Sequence, residues 1–286
     1  MKTVLYFDWI RNKKKYIRNI LTPVFVLAVL FILSVLLDLI VPAFNYTYMR
    51  WPDMIKDLLG LPAWNAKLYG NIWQIAALFY PFYYIYIAMS GLAGAVVEEE
   101  RLETVVYLKN LSIERSTILL AKGCMWIALS FVSCLALMIE NALFFLLLRA
   151  GQMEITMLKY YMGLFLIGIL YMGIAVFVAS YSRREKNCED KIFGILLVPF
   201  LLARIYAVIG FFADLLVATG REGAVTDTIG LVAEKLHILT LISPLTWCWP
   251  AVQISWIYVM CGVAVAVVMT IAGYSIYTRE GVIYRN

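Results

Sequence analysis

The chain alternates long apolar runs with short polar ones. Six runs, Leu21 to Val41, Ile75 to Val97, Gly123 to Leu148, Leu158 to Tyr181, Ile192 to Ala218 and Trp256 to Tyr277, each reach the length that crosses a hydrocarbon core as a helix. They carry few charges, and in lipid a helix satisfies every backbone group within its own segment. The pattern predicts an all-α polytopic membrane protein of six transmembrane helices, folded as one membrane domain over residues 1–286. Residues 1–20 read as an N-terminal interfacial helix, with Leu5, Trp9 and Ile10 on an apolar side and Arg11 to Lys15 toward headgroups, or as a basic flank that sets topology. Pro42 to Gln74 reads as a short outer hairpin. Residues 219–255, interrupted by Glu234, Lys235, His237, Pro244 and Pro250, read as short outer or re-entrant helices before span six.

Composition agrees with lipid as the solvent. Hydrophobic residues make up 63% of the 286 and charged residues 15%, with a mean hydropathy of +0.83, which excludes an ordinary soluble domain. The net charge of +5 is a topology signal rather than a nucleic-acid footprint. Sixteen Lys and Arg residues flank one side of the predicted spans, in the N-terminal stretch, the loops after spans two and four, and the C-terminus; seven flank the other. The positive-inside rule then puts both termini in the cytoplasm of a bacterial cell with the chain in its inner membrane. Trp9 and Trp126 fall near inner ends, and Trp51, Trp64, Trp73, Trp247, Trp249 and Trp256 near outer ends, as an aromatic belt would. No cleavable signal peptide is expected. The five cysteines form no CxxC and read as small apolar residues.

The loop after span two reads VEEERLETVVYLKNLSIERSTILLAK, from Val97 to Lys122. Mixed charges alternate with Val105, Val106 and Leu108, which predicts a surface helix over 98–118. Asn110 and Ser112 interrupt it, and Ser112 is a good N-cap for the helix that runs into span three. This stretch resembles the loop of the type-two ABC exporter permeases, which commonly reads Glu-Arg-(few)-Gly-Thr-Leu-x-x-Leu-x-x-x-Pro, then a polar turn and Ile-Leu-x-x-Lys. Glu100, Arg101, Thr104, Leu108, Leu111, Arg115, Ile118, Leu119 and Lys122 fall at matching positions; Glu103 replaces the usual glycine and Ser112 the usual proline. The resemblance implies that Glu99, Glu100, Arg101, Thr104, Leu108, Leu111, Ser112 and Arg115 form a cytoplasmic coupling helix that docks on an ATPase subunit. It also implies two copies of that ABC ATPase, a second permease, identical or homologous, and ATP and Mg on the partner alone. The segments ISPLTW (Ile242 to Trp247) and YTREG (Tyr277 to Gly281) are compatible with it. The chain has no GxxxxGK[ST] with which to cradle phosphates, so it is not expected to be an enzyme, and it needs no cofactor of its own.

Glu140, Arg204 and Asp214 fall inside predicted spans, where each needs a partner or water. Glu140 and Arg204 are expected to pair if their helices adjoin, either beside a pathway or as static packing. Tyr83, Tyr84 and Tyr86, in the Pro81-containing second span, are candidates to line a route for an amphipathic peptide, lipid-like compound or drug, or else pack between helices. His237 is the only histidine, so no metal site is expected. The rival reading is an ion-coupled secondary transporter, which usually shows inverted repeats; none is visible here.

Overall fold

The computed structural model describes residues 2–40, 68–101, 114–147, 155–182, 188–220, 223–248 and 256–279. Every regular element among them is helical: α1 (Lys2–Ile40), α2 (Leu68–Arg101), α3 (Arg115–Leu147), α4 (Ile155–Tyr181), α5 (Cys188–Leu202), α6 (Ile205–Ala218), α7 (Ala224–Leu236), two short 3-10 helices (His237–Ile242 and Pro244–Cys248) and α8 (Trp256–Arg279). Four stretches are long and apolar enough to cross a membrane: Val4–Leu33 in α1, Arg115–Phe144 in α3, Tyr160–Tyr181 in α4 and Trp256–Thr278 in α8. Shorter apolar stretches, Pro81–Val97 and Val208–Val217, lie in α2 and α6. Phe25, Leu33, Phe131, Leu143, Ile257 and Val268 all stand exposed on the outside of the bundle. A surface this apolar is stable against lipid and not against water. The chain is a helical membrane protein.

Two elements differ from the hydropathy pattern. Residues 2–20 and the first apolar run form one helix of 39 residues that continues through Pro23. At ~1.5 Å per residue it is about 58 Å long, well beyond a ~30 Å hydrocarbon core. In its N-terminal part Val4, Asp8 and Tyr16 are buried, while Tyr6, Phe7 and Ile10 are exposed alongside Arg11, Lys13, Lys14 and Arg18. The fifth run, Ile192 to Ala218, is divided into α5 and α6 at Ala203 and Arg204. Pro199 removes a donor and crowds the carbonyl one turn back. The chain then tightens, with Arg204 N bonded to Leu201 O at 3.0 Å. Either half is only about 21–23 Å long, too short to span alone. After this break α6 packs on α7, with Tyr206 and His237 ring centroids 4.8 Å apart.

The core is centred on α4, which meets α8, α2 and α3. Where α4 and α8 cross, backbone meets backbone. A methyl group on Gly173 would fall 2.6 Å from the Ala266 carbonyl oxygen, and one on Gly273 would fall 3.0 Å from the Phe177 backbone. Small residues of this kind allow the close approach on which helix association in lipid depends. The ISPLTW segment caps this pair. Thr246 Oγ1 donates to the carbonyls of Ser243 and Thr240, Trp247 Nε1 donates to Leu241 O at 3.0 Å, and the Trp247 ring lies over Gly262. We expect Gly173→Ala to destabilise the protein by about 1–3 kcal/mol through overpacking. Gly123→Ala, in α3, has open space around its new methyl and is expected to be neutral or slightly stabilising. Thermal unfolding of the two variants in one detergent compares them, and equal melting points would refute the close crossing.

Candidate functional site

The residues that stand out line one face of α3. Lys122, Trp126, Ser130, Ser133, Glu140 and Asn141 are all buried; steps of four, four, three and seven residues keep the first five on a single helical stripe, with Asn141 at its edge. Leu120, Ile127, Phe131, Leu135 and Leu143 form the exposed opposite side. A helix with polar groups inside and apolar groups outside is ordered by lipid, and buried ionisable groups in such a helix mark function by default.

Lys122 begins the stripe. Its Nζ lies 3.5 Å from Asp8 Oδ1 of α1, and both side chains are more than 90% buried. Asp8 also accepts from Asn12 Nδ2 at 3.0 Å and from the Tyr16 hydroxyl in a short hydrogen bond. Asp8, Asn12 and Tyr16 recur every four residues, so one face of α1 delivers all three to α3. The Tyr16 ring packs edge-on against Trp126 with centroids 5.6 Å apart, and Trp126 fills the space left by Gly91 of α2. Trp126 is therefore a core residue at a three-helix junction, not part of an inner aromatic belt. The missing side chain of Gly91 explains why: only glycine admits the indole there. The Asp8 cluster carried a readable sequence signal, a polar stripe of helical period inside an apolar, basic segment.

One turn further along α3, the Tyr84 hydroxyl bonds Ser130 O at 3.0 Å and makes a short hydrogen bond with Ser130 Oγ. The Tyr84 ring lies against Gly168 of α4, so this buried tyrosine pins α2, α3 and α4 together. Tyr83 and Tyr86 are half-buried. Tyr86 and Phe82 meet Phe193 of α5 edge-on, at 5.9 and 6.0 Å between centroids, and Phe82 also meets Phe200. The Arg204 guanidinium sits over the Phe200 ring, 5.5 Å from its centroid. An aromatic seam between α2 and α5 thus ends on a buried cation.

Glu140 and Arg204 are both buried but do not form the expected ion pair. Arg204 ends the α5 arm, which packs mainly on α2, whereas α3 packs mainly on α1 and α4. Glu140 Oε2 and the neighbouring Asn141 Oδ1 are buried without a hydrogen-bond partner among the described residues. Asn141 Nδ2 donates to Leu137 O at 3.3 Å.

Of the coupling residues, Glu99, Glu100 and Arg101 fall in the last turn of α2, and Arg115 opens α3 with its guanidinium 5.9 Å above the Tyr277 ring of α8. Thr104, Leu108, Leu111 and Ser112 lie outside the described residues, as does most of the predicted 98–118 helix. The first turn of α3 closes on Glu114, whose carbonyl accepts from Thr117 N at 3.0 Å and whose side chain accepts from Ser116 Oγ at 2.9 Å. Cys134 and Cys188 are buried, and Cys134 Sγ lies 3.2 Å from Tyr161 O; Cys124 and Cys261 are exposed. Among the described residues no group of three or more His, Cys, Asp or Glu side chains comes together. Neither a family model, nor a curated protein, nor a solved structure matches the chain.

Breaking a buried ion pair from one side strands the other charge, at about 3–5 kcal/mol. Lys122→Met is therefore expected to destabilise the protein strongly, and adding Asp8→Asn to recover much of that loss. Denaturant titration of Lys122→Met, Asp8→Asn and the double variant against wild type checks this. Additive losses would show that Asp8 and Lys122 do not act as a pair.

Proposed function

We propose that the chain is the membrane permease subunit of an ATP-driven exporter. It would move an amphipathic peptide, lipid-like molecule or drug out of the cytoplasm with energy from a separate ATPase. The observation that carries this reading is the Val97–Lys122 stretch and the way its two ends are rooted. Arg101 closes α2, and α3 opens with Arg115 over Tyr277 of α8 and holds α1 through Lys122 and Asp8. A partner that gripped residues 102–113 would act on α1, α2, α3 and α8 together. In this reading α1, α2, α3, α4, a broken α5–α6 unit and α8 are six membrane segments. Both termini lie in the cytoplasm of a bacterial inner membrane, and α7 with the two 3-10 helices lies on the outer side. A second permease completes the pathway, and two ATPase copies carry ATP and Mg. The aromatic seam of Phe82, Tyr86, Phe193 and Phe200 is the candidate contact for a greasy cargo.

A second reading, an ion-coupled secondary transporter, is favoured by one observation: Glu140 Oε2 is buried in a spanning helix without a hydrogen-bond partner among the described residues. Carboxylates held this way serve as ion or proton relays in transporters. One experiment separates the two. The chain is co-expressed with a candidate P-loop ATPase and purified, as wild type and as Glu100→Ala/Arg101→Ala. The permease reading requires a complex with ATPase activity that the double change weakens. No association with the ATPase, together with ion-driven flux by the lone chain that Glu140→Gln abolishes, would establish the second reading instead.

A further inference from the structure

A groove of about 570 Å³ runs between α4 and α5, away from the polar stripe of α3. Phe177 and Val178 of α4 form one wall, and Gly194, Ile195, Val198 and Pro199 of α5 form the other. Three- and four-residue steps put those α5 residues on one side of the helix, with Lys191 at the head of the row. The opposite side of α5 carries Phe193 and Phe200, which pack on Phe82 of α2. Thus α5 gives its bulky side to α2 and its thin side to α4. At Gly194 the groove is open, since a methyl group there would meet no atom within 4 Å. One end is polar: Lys191 Nζ donates to Ser182 Oγ at 3.2 Å, with Tyr181 beside them. Depth in the membrane follows from α4. Its apolar stretch Tyr160–Tyr181 has 22 residues. At ~1.5 Å per residue that is about 33 Å, which matches a ~30 Å hydrocarbon core. Tyr181, Ser182 and Lys191 therefore stand at headgroup level, and the two apolar walls lie among the tails.

We propose that this groove binds an anionic phospholipid, with one acyl chain between α4 and α5 and the phosphate at Lys191. Lipid tails solvate any apolar surface, so an apolar groove by itself selects no lipid. Two features of this one do. A chain lying in it touches protein on both sides, at Phe177 and Val178 and at Ile195 and Val198, whereas a chain on the convex outside of the bundle touches protein on one. The exposed Lys191 ammonium then stands where the headgroup of that chain falls, and basic pockets between membrane helices hold anionic headgroups. The neighbouring acids point elsewhere. Glu189 Oε1 lies beside Gly94 of α2, and Asp190 falls about 100° round the helix from Lys191. An occupying chain braces the α5 arm against α4, where that arm otherwise packs mainly on α2. The site needs only the membrane setting of the chain and rests on neither transport reading.

The test is photo-crosslinking of the full-length protein in phosphatidylcholine nanodiscs that contain a small fraction of a lipid with a diazirine in its acyl chain. The probe is phosphatidylglycerol in one arm and phosphatidylcholine in the other, and mass spectrometry maps the adducts. Ile257 and Val268 of α8, both exposed on the outside of the bundle, report ordinary lipid contact in the same sample. Relative to them, the groove residues 177–181 and 194–199 are expected to label about fivefold more from the anionic probe than from the neutral one, the scale of one cation near a membrane surface. Lys191→Gln is expected to remove that preference. Gly194→Phe, whose ring enters open space, is expected to lower groove labelling from the anionic probe to the level of the neutral one while α8 labels as before. Equal labelling of the wild-type groove by the two probes would mean an ordinary lipid shell, and no labelling there would mean that protein covers the groove. Either result overturns the proposal whether or not the variants fold, as does a preference that survives Gly194→Phe.

Discussion

The outside of this bundle is as apolar as its inside, so burying apolar surface cannot decide which helices meet. Lipid tails solvate Leu and Phe as well as a neighbouring helix does, and association must come from close packing and from internal hydrogen bonds. Both are concentrated at a few positions. Gly173 and Gly273 bring the α4 and α8 backbones together, Gly91 receives the Trp126 indole, and Gly168 receives Tyr84. Around them, Lys122 and Ser130 of α3 find partners on α1 and α2. Remove these contacts and the apolar helices remain at home in lipid with nothing to specify their order.

Buried charge sharpens that specificity. A lone lysine or aspartate in hydrocarbon is costly enough that Asp8 and Lys122 each restrict where the other can sit. Because Asp8 is held by Asn12 and Tyr16 from the same face of α1, the pair fixes rotation of the helix as well as its position. The exposed face of α1 that follows mixes Tyr6, Phe7 and Ile10 with Arg11, Lys13 and Lys14, a combination suited to the boundary between lipid and water. Arg115 over Tyr277 adds a second tie at the same end of α3, so the stretch after the predicted coupling segment is held to both α1 and α8.

How much of this was legible in the sequence follows from what hydropathy encodes. Helical class and membrane setting were, because apolar runs of spanning length admit no other fold in lipid. The continuity of α1 was not: a basic stretch reads as a separate interfacial element, and the four-residue spacing of Asp8, Asn12 and Tyr16 was the one local sign that part of it faces another helix. The break in the fifth run was half-legible, since Pro199 marked it but Arg204 read as a group inside a single span. Glu140 with Arg204 failed for a deeper reason. Depth along two helices can be read from residue counts, whereas adjacency depends on tertiary order, and α5 packs on α2 instead of α3. Trp126 misled in the same way, because an indole near a helix end suits a headgroup belt and a glycine socket equally.

These considerations make α3 the element on which any mechanism must turn. Its first turns carry the ties to α1 and α8, its middle carries the Tyr84 pin, and its far part carries Glu140, whose Oε2 has no hydrogen-bond partner among the described residues. A rigid helix gripped at one end delivers displacement to the other, so a motor acting on residues 102–113 would move Glu140 relative to whatever faces it. An ion-coupled mechanism runs the same lever in reverse, with charge neutralisation at Glu140 as the input. The two schemes therefore differ in where energy enters α3 and not in which helix moves. That is why the polar stripe alone favours neither, and why the proposed ATP-driven reading rests on the charged sequence between α2 and α3.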